Sequence, residues 1–143
     1  MEAREFLSQA WQLEQQVQCK LMQLEKLNAL ACAVGGMQTG EQVSHSRNVS
    51  GMENTVIRIV EAREALDAEI DQLFAKKQEI AAVIAQVRNI TLRMILEQRY
   101  LAFAEWEKIA VNLHYSQRHI LARHRQALEI VQCILDRTGR GKE

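Results

Sequence analysis

The chain has 143 residues, 48% of them hydrophobic and 25% charged, with 18 Lys plus Arg against 18 Asp plus Glu. That balance is the profile of a globular domain of ordinary size and excludes disorder along most of the length. No apolar run approaches the roughly 18 residues a membrane span needs, and Met1-Glu2-Ala3-Arg4-Glu5 is acidic where a secretory leader would be basic, so a cytoplasmic, unprocessed protein with no membrane partner is expected.

There is no proline, and the six glycines fall in two clusters, Gly35, Gly36, Gly40 and Gly51, then Gly139 and Gly141. With the two strongest helix breakers so confined and no β-branched alternation in strand-length windows, the expected class is all-α, the glycine loop being its only major interior break. Cys19, Cys32 and Cys133 lack the paired spacing of a zinc or redox motif and read as buried, reduced thiols; neither a metal nor a cofactor is indicated.

In chain order, Leu7, Ala10, Leu13, Val17, Leu21, Leu24, Leu27 and Ala31 recur at steps of three and four, which lines one face of a helix ending at Gly35-Gly36. Residues 35–51 have no period and read as a long loop. Ser50-Gly51-Met52-Glu53 has the form of a capping box opening the second helix. Val56, Ile59, Leu66, Ile70, Leu73, Ile80, Ile84 and Val87 then keep an alternating three-four step, with Arg63 and Lys77 on the same seam to set register. Such a stripe must bury itself on the first helix, on a second chain, or on both. Residues 1–88 are therefore expected to form a long antiparallel helical hairpin, with a homodimer as one outcome. A second break is possible near Asn89, where the seam passes from Val87 to Thr91.

Charge divides at the same place. Residues 1–88 carry 9 basic and 12 acidic side chains, whereas residues 89–143 carry 9 basic and 6 acidic, with three of the four histidines. Between Tyr115 and Gln126 lie Arg118, Arg123, Arg125, His119 and His124 and no acid, a composition suited to a polyanion.

The segment 89–136 has helix-turn-helix spacing, followed by a flexible tail at 137–143. Trp106, Ile109, Ala110 and Leu113 make the apolar face of a short helix, with Ala110 small where a second helix crosses closely. His114 takes a left-handed position, Tyr115 plugs the core and Ser116 caps the next helix. Ile120, Ala127, Leu128 and Val131 give that helix its buried side, leaving Gln117, Arg118, Leu121, Ala122 and Arg125 outward. With Ser116 and His119 at the helix start, these are the candidate DNA-binding residues. His119 and His124 are not at zinc-pair spacing and read as solvated or capping side chains.

Ile109-Ala110, Leu113, Tyr115-Ser116, Ile120 and Ala127-Leu128, preceded by Arg99-Tyr100-Leu101 and Trp106, resemble region 4 of sigma-70 factors over about residues 90–132. The whole chain further resembles phage and prophage proteins of Gram-positive bacteria related to ArpU-type regulators of late transcription. That resemblance implies binding to double-stranded DNA through the second helix and regulation of phage genes, with RNA polymerase as a possible partner. His114 stands where glycine is usual in the family, and Arg123 where an apolar residue is usual. No glycine-rich phosphate loop, activated nucleophile or isolated carboxylate pair points to an enzyme. The competing expectation is a non-catalytic helical assembly protein whose basic corner meets an acidic protein surface; a small-terminase-like packaging protein, which also joins a helix-turn-helix to a coiled hairpin, is a third.

Overall fold

The computed structural model describes residues 1–36 and 45–139, with side chains for 1–33 and 51–139. The described residues are all-helical, without a strand: α1 (Ala3–Gly36), α2 (His45–Ile84), α3 (Ile90–Leu96) running into a π-helical turn (Glu97–Leu101), α4 (Trp106–Leu113) and α5 (Gln117–Arg137). No described helix is long and apolar enough to cross a membrane.

The second helix begins earlier than its sequence suggests. His45–Ser50 are helical, so Ser50 and Gly51 sit inside α2 and the box at Ser50–Glu53 is not its start. A lone glycine costs about 1 kcal/mol in a helix interior. That is too little to stop a helix of 40 residues, and the Thr55 hydroxyl donates to the Gly51 carbonyl at 2.8 Å across the weak point. The expected loop 35–51 is shortened at both ends, and its centre, 37–44, lies outside the described residues. So does 140–143, most of the expected tail.

The glycine loop is not the only interior break. α2 ends at Ile84, and Asn89, in extended backbone, restarts the chain by accepting from the Leu92 N–H at 3.2 Å, the N-cap of α3. The chain turns again at 102–105, where the π-helical turn ends and Phe103 takes a positive φ of 57°.

Two compact units result. One combines Met1–Leu13 with Leu73–Glu143; the other is Glu14–Gln72, so the boundary expected at residue 88 falls inside the first unit. In the first unit Phe6, Leu7 and Ala10 are buried from α1, Ile80, Val83 and Ile84 from the end of α2, and Leu92, Ile95 and Leu96 from α3. The Gln132 side chain on α5 holds the chain start: its Oε1 accepts from the Ala3 N–H at 2.7 Å, and its Nε2 donates to the Met1 carbonyl at 3.4 Å. In the second unit Val17, Leu24 and Leu66 are buried, whereas Leu21, Val56 and Ile70, also on the expected stripes, are exposed. Arg63 is exposed; Lys77 is half-buried, its ammonium 4.8 Å from the centre of the Phe103 ring.

All three cysteines are exposed, against the expectation that they are buried. Cys19 and Cys32 fall off the Val17–Leu24 stripe, and Cys133 precedes the buried pair Ile134-Leu135 by one step, which turns it outward.

The Asn89 cap predicts a measurable cost. Asn89→Ala should lower stability by about 1 kcal/mol, read as a shift of the urea midpoint, while Asn89→Asp, which keeps an acceptor, should fall close to wild type.

Candidate nucleic-acid interface

α4 is eight residues long and stops at His114, which adopts the left-handed conformation (φ 60°, ψ 38°). The His114 N–H donates to Val111 C=O at 3.3 Å and the Tyr115 N–H to Ala110 C=O at 3.1 Å, the paired closure of a Schellman cap. Ser116, extended again, opens α5 by accepting from the His119 N–H at 3.2 Å through its hydroxyl. Three residues therefore end one helix and begin the next. Ile95, Ile109, Ala110 and Ile120 form the core under this corner, with Ala104, Trp106 and Leu113 packed against it. Asn112 Nδ2 donates to Gln98 Oε1 at 3.1 Å, tying α4 to the π-helical turn.

Tyr115 departs from expectation. It is 44% exposed, not a core plug, and lies against the His119 ring at a centroid distance of 4.6 Å. The core under the corner is made by Ile95, Ile109, Ala110 and Ile120 without it, and the Tyr115 ring packs on His119 outside.

On α5 the buried side is Ile120, His124, Ala127, Val131, Ile134 and Leu135, with Leu128 half-buried. The apolar position that Arg123 breaks in sequence is thus taken by His124. Arg123 is half-buried beside it, Nε donating to His119 Nε2 at 3.3 Å and Nη1 to Gln126 Oε1 at 3.2 Å. Of the candidate residues, Ser116, Gln117, Arg118, Ala122 and Arg125 are exposed, and His119 is half-buried beneath Tyr115. Leu121 is half-buried, not outward: it faces a cavity of about 550 Å³ whose wall Arg125 shares.

His124, expected to be solvated or capping, is 4% exposed. Its Nε2 and the Tyr100 hydroxyl are hydrogen-bonded at 2.6 Å, its ring stacks near Tyr100 at 5.7 Å, and Trp106 meets it edge-on at 4.6 Å. The Arg99 guanidinium lies 4.6 Å over Trp106 and donates to the Ala104 carbonyl at 3.1 Å. Burial pushes the Tyr100 phenol up, against the pull of Arg4 and Arg99. One signal in the sequence does place His124 inside: it continues the 120-127-131 stripe, four residues after Ile120 and three before Ala127. Nothing in the local pattern marks Arg4, Ser8 and Trp11, which α1 brings to the same cavity.

No protein-family model, curated protein or solved structure matches the chain.

Burial first, then the nearby charges of Arg4 and Arg99, holds His124 down from 6.5 to about 4. Because the folded value lies below the unfolded one, protonation favours the unfolded chain. Its contribution to stability is intact above pH 6.5 and is lost as the pH falls from 6.5 towards 4, on the order of 2–3 kcal/mol. His124→Gln keeps an acceptor for Tyr100 but cannot titrate in this range, so its stability should fall less steeply than wild type between pH 7 and 4 in paired urea titrations.

Proposed function

We propose that the chain is a phage- or prophage-type transcriptional regulator that binds double-stranded DNA through a helix-turn-helix formed by α4, the His114–Ser116 turn and α5. The observation that carries this reading is the pairing of a tight left-handed corner with an exposed, acid-free helix start, where Gln117, Arg118 and Ala122 stand clear of the core. A recognition helix needs a rigid corner to fix its angle and unobstructed side chains in its first turns to reach base edges. The sigma region 4-like pattern supports the same assignment and suggests RNA polymerase as a further partner. Arg118, the second residue of α5, reads a base edge, guanine being the usual match for an arginine; Arg125, two turns later, meets a phosphate. Arg123 is turned towards His119 and Gln126 and is not counted among the contacts.

In this reading residues 1–88 supply an antiparallel helical hairpin and dimerise the protein, which places two recognition helices on one duplex. The exposed Leu21, Val56, Ile57, Val60 and Ile70 are the supporting feature, since a hairpin closed on itself has no use for them. Light scattering at micromolar concentration should give twice the chain mass, and Ile70→Asp should reduce it to one chain. A wild-type monomer would remove the dimer from the proposal without touching the corner.

The duplex reading is tested by mobility shift at two salt concentrations on an operator selected from random sequence. Arg118→Ala should cost about 1–3 kcal/mol on the selected site and flatten discrimination. Arg125→Ala should weaken all duplexes alike and reduce the salt slope by about one. Absence of duplex binding at low salt would sink the reading and favour an assembly protein whose basic corner meets an acidic partner.

A further inference from the structure

The cavity beside α5 shares Leu121 and Arg125 with the proposed DNA-binding face but lies apart from Gln117 and Arg118 at the helix start. Arg4 from α1, Arg99 from the π-helical turn and Arg125 from α5 all border it. Among the described residues none of the three has a carboxylate within ion-pair distance. Arg99 gives one N–H to the Ala104 carbonyl and lies over Trp106, contacts that do not neutralise its charge, and three arginines on the wall of one cavity without a carboxylate favour an anion there.

The remaining wall is aromatic. Trp106, Phe103 and the Tyr100–His124 pair line the inside, and Trp11, 53% exposed, stands at the edge. A half-exposed tryptophan beside a cavity is the kind of surface on which a flat ring stacks. The volume, about 550 Å³, lies in the range of small-molecule sites. The Ser8 side chain adds a hydroxyl, and the neutral His124 leaves the positive charge to the arginines.

We propose that this cavity binds a nucleoside monophosphate, its base against the Trp11 and Trp106 aromatic wall and its phosphate between the guanidinium groups of Arg4, Arg99 and Arg125. The chemistry is the same whether the nucleotide is free or is the 5′-phosphorylated end of a strand. The assignment is independent of the duplex reading, although Arg125 takes part in both.

The chain's only two tryptophans, Trp11 and Trp106, both line the cavity, so intrinsic tryptophan fluorescence reports on it directly. The full chain is titrated with the four ribonucleoside 5′-monophosphates, with excitation at the red edge to avoid nucleotide absorbance, and binding is checked by calorimetry. Saturable quenching by at least one monophosphate is expected, with the matching nucleoside and inorganic phosphate each binding at least about tenfold more weakly. Arg4→Ala and Trp11→Leu, both at exposed positions, should each weaken the monophosphate about tenfold or more, with helical content unchanged by circular dichroism. Arg118→Ala lies outside the cavity and should leave nucleotide affinity at the wild-type value even where duplex discrimination is lost, which separates the two sites.

A 5′-phosphorylated single-stranded oligonucleotide binding better than its unphosphorylated twin, and better than the free nucleotide, would identify a strand end as the source; the reverse order identifies the free nucleotide. No saturable response to any monophosphate, or an Arg4→Ala protein that is folded and binds as wild type, overturns the proposal.

Discussion

The hydrogen bond between the Tyr100 hydroxyl and His124 Nε2 fixes how α5 is rotated about its own axis. Both groups are buried, and a buried polar group without a partner costs several times what the bond itself contributes. Turning α5 by one residue, about 100°, would carry His124 away from Tyr100 and bring Arg123 or Arg125 against the core. The position at which Ile120, His124, Ala127 and Val131 face inward is the one that satisfies the pair. The outward set follows from it: with His124 inside, Gln117, Arg118, Ala122 and Arg125 have nowhere to lie but on the surface. The choice of side chains available to a partner is thus made by one polar contact in the core.

What the sequence discloses depends on how local the cause is. The corner at His114–Ser116 is legible because its determinants lie within a few residues: a left-handed cap, a hydroxyl placed to accept from the His119 N–H, and apolar residues spaced for a short helix. The break at Asn89 is equally local. Tyr115 is misplaced because an aromatic residue beside a cap can go inward or outward, and the choice rests on a core that includes Ile95, distant in sequence. The start of α2 is misread for a different reason. Ser50–Glu53 has every residue a capping box requires, yet the helix continues upstream of it, since the motif states what a start would look like and not that the preceding turn is unstable.

The contribution of the N-terminus belongs to the other extreme. Gln132 and Ala3 meet across 129 residues of sequence, and no periodicity in either segment anticipates it. The consequence is chemical as well as architectural. It brings Arg4, Ser8 and Trp11 to α5, where Arg4 is among the charges that keep His124 neutral. A residue four positions from the chain start thereby affects the protonation of the group that orients α5.

Net charge conceals the resulting field. Equal numbers of acids and bases give a formal charge of zero, yet Arg4, Arg99 and Arg125 border one cavity, and neither they nor Arg118 at the start of α5 have a carboxylate partner among the described residues. Arg125 stands where the exposed face of α5 meets the cavity, so its guanidinium can satisfy an anion on either side but has a single head group to do so. Arg118, the second residue of α5, has no such choice and faces solvent alone. Arginine at these two positions therefore differs in kind: one is committed to whatever approaches the corner, and the other links that surface to the interior cavity.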